Sequence, residues 1–393
     1  MDGETKPHPD ILDSLLQKLL EAEIKPLQKL YLLRTHLIPT YIHKLIHEDF
    51  TGTTLETMDR HVRAAAKTFL FQVQGLPNAC VHLKVKNGGL GIPQLRWFIP
   101  NLAFKRMRRL TTSRCPYVKY LTSTPEFTKE MTRISILTPD GLDYDLRLLR
   151  DISTNPANRG FLCFSVGGHI VNRHLTGWTN IPSRQLISLI RLRSGTLGAI
   201  YGAPNQPTCH RCMEDTPESL FHILNKCPST KGLQCTRHDK IRDMINDTLT
   251  DKGWSVLREI RIPTSKETHI RPDLIVINRD QSKAFVLDVR VAYEMDKNSL
   301  DRKDLRKREK YQKYNDDIMN YLRFHFPDLR NLDFYGLIFG SRGSIHCTTL
   351  NLLKDTFHFS DLRLGALIDK IIDESLKIYS IFKGDQPFPD HLV

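Results

Sequence analysis

Cysteine is scarce. Eight in 393 residues are too few for a disulfide scaffold and point to a reducing, intracellular setting, where closely spaced cysteines more often bind metal. Long apolar runs are missing too: nothing approaches the roughly 18 residues that a spanning helix needs. The start, Met1-Asp2-Gly3-Glu4, lacks the basic-then-apolar pattern of a secretory signal. No membrane association is expected. A hydrophobic content of 40% is ordinary for a globular chain and excludes the disordered and collagen-like classes. At roughly 100–200 residues per domain, the length predicts two or three domains.

In places the chain also lacks acid. The formal net charge is +13, and it is uneven: residues 1–200 carry 27 Lys/Arg against 16 Asp/Glu, while residues 201–393 carry 30 against 28. Residues 60–119 hold twelve Lys/Arg and no acid, and residues 152–213 hold six arginines and no acid. A solvated helix face usually mixes signs to limit self-repulsion, so two long acid-free stretches predict a polyanionic partner, nucleic acid, over a merely basic surface. Arg60, Arg63 and Lys67 are expected to meet it from one helix. Lys105, Arg106, Arg108 and Arg109 would do so from a second, and Arg191 and Arg193 from the later acid-free stretch.

The N-terminal third reads as helices. Leu12, Leu15, Leu16, Leu19 and Leu20 recur at i, i+3, i+4, i+7 and i+8, and a second run from Leu27 is expected to end at Pro39. Further helices are predicted over residues 57–73 and through Trp97, Leu102, Phe104 and Leu110, separated by the turn cluster Asn87-Gly88-Gly89-Leu90-Gly91-Ile92-Pro93. From residue 239 the pattern becomes helix (239–250), strand (255–262), strand (274–277), polar turn (278–283), strand (284–289), one long charged helix (301–324), strand (334–339) and a final helix (362–380): α-β-β-β-α-β plus an extension.

Cys209-x2-Cys212-x9-His222-x4-Cys227 is the sharpest local signal. Zinc takes four soft or borderline ligands in a tetrahedron, and a Cys-x2-Cys turn supplies two of them. His210, Cys235 and His238 lie nearby, and Cys235-x2-His238 is itself a plausible pair. With four protein ligands the zinc would be structural.

Arg271-Pro272-Asp273 opens one strand and Asp288 closes the next. If Ile277 pairs with Ala284, antiparallel register puts Asp273 opposite Asp288, with Cβ atoms about 5 Å apart. Two carboxylates so placed suit a hard cation such as Mg²⁺, which can activate water on a phosphodiester; turn-capping aspartates are the plainer alternative. Lys310-x2-Lys313-Tyr314 follows, with a lysine that could lean over the carboxylates, and Arg306 and Tyr314 are candidate nucleic-acid contacts with Arg271. Glu294 is a weaker candidate for a third catalytic acid, and so is Glu259. Tyr314-Asn315-Asp316-Asp317 spells a polymerase-like Tyr-x-Asp-Asp, but it falls in a charged helix rather than on a hairpin and reads as chance.

In this order, the pieces resemble the C-terminal half of the polyprotein of type-1 non-LTR retrotransposons that carry a restriction-like endonuclease and insert into ribosomal RNA genes. The string from Leu30 to Pro39 and Gly88-Gly89-Leu90-Gly91-Ile92-Pro93 are similar to that family's reverse-transcriptase thumb. Cys209, Cys212, His222 and Cys227 match its zinc knuckle. Asp273, Asp288, Lys310 and Lys313 match its endonuclease signature. The resemblance implies an α+β multidomain chain: a helical thumb-like region (1–110), a basic linker (111–205), a zinc knuckle (206–236), a restriction-endonuclease-like domain (237–345) and a helical extension (346–393). It implies structural Zn²⁺, catalytic Mg²⁺, nuclear localisation, and target DNA and element RNA or an RNA–DNA hybrid as partners. The endonuclease would nick target DNA to prime reverse transcription; the alternative is an inactive nucleic-acid-binding remnant. Where the wider nuclease superfamily places a lysine two residues after the second acid, this chain has Arg290, a migration that the family's downstream lysine pair shares. Fingers and palm are missing, so the chain reads as a truncated copy that does not polymerise DNA by itself.

Overall fold

A computed structural model describes residues 9–47, 49–71, 75–138, 144–154, 156–176, 181–197, 207–212, 214–278 and 282–384. They form two compact units, one of Met1–Val85, Gly89–Ile152 and His174–Ile187, the other of Lys86–Gly88, Ser153–Arg173 and Ser188–Val393. The five segments expected from the sequence are thus distributed over two bodies. No described helix is long and apolar enough to cross a membrane.

The first unit is helical throughout its described residues. Pro9–Glu21 buries Leu12, Leu16 and Leu19, whereas Leu15 of the same run is 37% exposed and Leu20 half-buried, so the buried stripe is narrower than the leucine spacing predicts. The run from Leu27 does not stop at Pro39: Pro26–Leu32 continues through a π turn at Leu33–Leu37 into Ile38–Leu45. The wider turn shifts the hydrogen-bond ladder just where the proline lacks an N–H. The third helix starts earlier than expected, at Gly52–Phe69, because Thr51 caps it by accepting the Thr54 N–H at 3.1 Å. Leu95–Thr111 follows as expected, and Pro116–Thr122 and Pro125–Leu137 add two helices to the segment read from the sequence as a basic linker.

Two strings far apart in sequence meet in this unit. The Arg34 guanidinium donates to the carbonyls of Leu90 (3.2 Å), Leu175 (3.1 Å) and Thr176 (2.8 Å). Gly91 has φ +71°, and a Cβ there would press on Val85 and Arg34, so the close approach needs glycine.

The second unit holds a four-stranded mixed sheet in the order β1-β4-β5-β6, with β1 Ser255–Arg258, β4 Leu274–Ile277, β5 Lys283–Ala292 and β6 Asn331–Gly340. β1 and β4 pair antiparallel, as do β4 and β5, while β5 and β6 run parallel. The expected Ile277–Ala284 pairing is present. The single strand expected over 255–262 is two, because Glu259 adopts φ 49° and ends β1; Ile262–Pro263 (β2) pairs instead with His269–Ile270 (β3). The 278–283 turn lies partly outside the described residues. The long charged helix is also two, Ser299–Gln312 and Asn315–His325, broken at Lys313-Tyr314. Against β4 and β5 pack Tyr311, Ile318 and Leu322, all fully or nearly fully buried, so both helices contribute to one core.

The helix expected at 239–250 begins at Lys231 and runs to Asp251, and the final helix runs Asp361–Lys383. These two lie together: the buried Arg237 guanidinium donates to Ser375 Oγ at 2.9 Å and to the Leu224 carbonyl at 2.9 Å.

Candidate functional site

The β4–β5 register carries Asp273 and Asp288 to facing positions at the strand ends. Asp273 Oδ2 accepts the Val289 N–H at 2.7 Å and lies 3.1 Å from His238 Nε2. His238 comes from the Lys231–Asp251 helix. Asp288, 3% exposed, faces the Ser299–Gln312 helix: its Oδ2 is 2.7 Å from Lys307 Nζ and 3.5 Å from Lys310 Nζ. Lys310 also donates to the Tyr311 hydroxyl at 2.7 Å, which in turn donates to the Arg271 carbonyl at 2.9 Å. Two acids, two lysines, a histidine and a tyrosine therefore converge.

Their titration follows from the geometry. Burial would raise the Asp273 carboxyl, but hydrogen bonds with His238 and Asp288 and the Val289 N–H outweigh it and hold Asp273 well below the carboxylate range. Burial and the adjoining Asp273 push Asp288 upward against the pull of Lys307. Burial lowers His238, yet Asp273 and Asp239 prevail and its pKa is raised.

Lys307 had no place in the sequence reading, though its three-residue spacing before Lys310 was a usable signal. Lys313 is not brought to the carboxylates; it sits at the helix break, its Nζ 4.9 Å from the Tyr314 ring centroid. Glu294 is also placed elsewhere. It is buried against Arg342, with Nε to Oε2 at 3.3 Å, and accepts the Ser344 hydroxyl at 2.7 Å and the Arg342 N–H at 3.2 Å. Glu259 pairs with Arg271 (2.7 Å) and Arg242 (3.0 Å).

The second cluster is built by a tight loop and a short helix. Thr208 bridges Pro217, and the Cys209 N–H donates to the Thr216 carbonyl at 2.9 Å. Ser219 caps Leu220–Asn225, which carries His222, and the Cys227 N–H returns to the His222 carbonyl at 2.7 Å. Cys209 Sγ lies 3.8 Å from Cys227 Sγ, and Cys212 Sγ lies 3.3 Å from His222 Nε2. All four ligand atoms fall within 4.8 Å of one another, a spacing and a soft donor set that fit tetrahedral zinc. The three neighbours do not join them. His210 pairs with Glu218, Cys235 is exposed, and His238 serves Asp273.

Of the expected nucleic-acid contacts, Arg60, Lys105, Arg106, Arg108 and Arg109 are exposed in the first unit, Arg271 and Arg306 in the second. Arg63 bonds to Glu56 at 3.1 Å and Lys67 to Asn78 at 2.8 Å. Arg191 and Tyr314 are half-buried. Arg193 is not a surface group: it is 2% exposed and donates to Asn172 Oδ1 and the Val171 carbonyl, both at 2.7 Å.

No protein-family model matches the chain. Similarity to known proteins nevertheless runs through nearly all of it, and the proteins it matches are polyproteins of retrotransposable elements. The chain is homologous to the Pol polyproteins of R2 retrotransposable elements. It is 26% identical over 392 residues to the retrovirus-related Pol polyprotein from type-1 retrotransposable element R2 of Popillia japonica, covering 97% of this chain and 78% of that one. It is 30% identical over 345 residues to the polyprotein from type-2 retrotransposable element R2DM of Drosophila melanogaster, covering 84% of this chain but 31% of that one. A third relative, from Nasonia vitripennis, is 27% identical over 277 residues, 25% of its length.

Proposed function

We propose that the second unit is a restriction-like, metal-dependent DNA endonuclease that nicks a target strand, and that the basic first unit and a zinc knuckle bind nucleic acid around that step. The observation that carries it is the convergence of Asp273, Asp288, Lys307 and Lys310 at the end of a mixed sheet. The order of the Lys231–Asp251 helix, the antiparallel strands β1, β4 and β5, the broken helix and the parallel β6 supports it. Asp273 and Asp288 would hold Mg²⁺, since one or two carboxylates with water and phosphate oxygens suit its hard octahedral shell. When bound, the ion supplies an activated water and charge neutralisation for in-line attack on a phosphodiester. The chain's own groups do the rest. Lys307 and Lys310 bring positive charge to the oxygen side of Asp288, where negative charge builds on the scissile phosphate. Tyr311 holds Lys310 in place through its hydroxyl. His238 and the Val289 N–H fix the Asp273 carboxylate. Cys209, Cys212, His222 and Cys227 would hold Zn²⁺ and keep the loop before the Lys231–Asp251 helix folded.

In the setting of a whole element, the nick would expose a 3′-hydroxyl that primes reverse transcription of element RNA in the nucleus. The test is nicking of supercoiled plasmid with Mg²⁺: Asp273→Ala and Asp288→Ala should abolish it, and unchanged cleavage by Asp273→Ala would sink the assignment.

The second reading is an inactive nucleic-acid-binding remnant. It is favoured by the pairing of Asp288 with Lys307 at 2.7 Å and of Asp273 with His238 at 3.1 Å, contacts that a purely structural role would also explain. A purified protein that binds DNA but never nicks it would establish that reading.

A further inference from the structure

The short helix Pro116–Thr122 is worn inside out. An amphipathic helix normally turns its i, i+3, i+4 apolar set toward a core. Here that set is Tyr117, Tyr120 and Leu121, and they are 83%, 73% and 59% exposed. The half-buried residues are Val118 and Thr122, on the other side. None of the helix's seven residues is buried. Two aromatic rings are thus held out one turn apart on an exposed helix face.

The segment is also bounded at both ends by local signals. Pro116 starts the helix at its first turn. At its end three consecutive hydroxyls bond back to carbonyls: Thr122 to Lys119 at 3.0 Å, Ser123 to Tyr120 at 2.7 Å and Thr124 to Leu121 at 2.9 Å. Thr124 then caps Pro125–Leu137. The rings are thus presented from a capped helical turn rather than from an open loop.

The charge around them selects the ligand. Arg108 and Arg109 close the preceding helix, and Arg114 and Lys119 flank Tyr117; all four are exposed. Among the described residues none of the four pairs with a carboxylate, and the chain has no acid between Asp59 and Glu126. Exposed rings interleaved with unpaired cations match an unpaired strand, whose phosphates take the cations while its bases stack on the rings. Duplex bases are already stacked on each other and offer no free face.

We propose that Tyr117 and Tyr120 form a stacking platform for single-stranded nucleic acid, with Arg108, Arg109, Arg114 and Lys119 holding the phosphates. The inference rests on the nucleic-acid reading of the basic region, and it adds the strandedness of the ligand and the residues that read it.

The experiment compares the full chain and its variants by fluorescence anisotropy on a labelled single strand of about 15 nucleotides and on the matching duplex. Tyr117→Ala with Tyr120→Ala should weaken single-strand affinity by at least about tenfold and leave the salt dependence unchanged. Duplex affinity should move by less than about twofold, and Tyr117→Phe with Tyr120→Phe should keep wild-type binding of both, because stacking needs only the ring. Arg108→Gln with Arg109→Gln should weaken both ligands and flatten the salt slope. Equal losses on single strand and duplex, or no loss on either, would overturn the platform. So would a loss of self-association in the alanine variant with single-strand binding intact, which assigns the face to a second copy of the chain. Plasmid nicking is read separately with Asp273→Ala, so a failed platform and a failed nuclease reading are distinguishable.

Discussion

Lys307 Nζ stands 2.7 Å from Asp288 Oδ2, one helical turn nearer the Ser299 end than the lysine pair that the sequence motif singles out. Lys310 is 3.5 Å away, and Lys313 lies past the last turn of the helix. Alanine at Lys307 or Lys310 should therefore lower the single-turnover nicking rate by about 10²–10³-fold, the scale of a lost charge-stabilising or proton-transferring group. Lys313→Ala should leave the rate close to wild type. A large loss in Lys313→Ala with none in the other two would reverse the assignment.

The Cys209, Cys212, His222 and Cys227 cluster predicts a protein that carries about one zinc per chain. Cys212→Ser, or a strong chelator, should remove the metal and lower the melting temperature by more than about 5 °C, because binding energy in such a loop is folding energy. Cys235→Ser should keep the metal, since Cys235 is exposed and outside the set. Metal content by mass spectrometry and thermal melting check both.

Glu294 and Arg342 form an ion pair whose side chains are both 0% exposed. Glu294→Gln leaves the guanidinium without its counter-charge and should cost about 3–5 kcal/mol of stability in urea denaturation. Mg²⁺ affinity of the protein that remains folded should not change, because Glu294 is committed to the Gly340–Ser344 turn; a Cβ on Gly340 would collide with its carboxylate. Loss of metal affinity with stability intact would restore Glu294 as a ligand candidate.

Asp59 gives a pH dependence with a defined sign. Burial lifts its carboxyl to about 7, against the opposing N–H donors of Arg96 and Leu95. An unfolded aspartate titrates near 3.9, so between the two values the folded unit keeps a proton that the unfolded chain releases. The stabilising difference is complete below about pH 4, declines as pH rises and is gone above about pH 7. Asp59→Asn should remove that slope, seen as a difference in urea midpoints between wild type and variant across the same interval. Parallel pH profiles would contradict the assignment.

How much was legible in the sequence follows a physical line. Period and pairing were legible. The leucine spacing of Pro9–Glu21, the Ile277–Ala284 register and the Cys-x2-Cys, His, Cys order all depend on neighbours close in the chain, where spacing alone decides which side a residue faces. The family resemblance was legible for the same reason, since ordered local strings carried it. Boundaries set by a single backbone angle were not: Glu259 splits a strand, the π turn carries a helix past Pro39, and Lys313-Tyr314 breaks a helix.

Which polar groups share a site was decided by the tertiary structure alone. His238 reads in sequence as a neighbour of the cysteines, yet the Lys231–Asp251 helix delivers it to Asp273, 35 positions away. Arg193 reads as a basic surface residue and is buried in a hydrogen-bond network. Tyr117 and Tyr120 carry no sequence signal for exposure, because an apolar spacing does not say whether a core or the solvent lies opposite. A one-dimensional pattern states which residues lie on one side of an element; only packing states what that side meets.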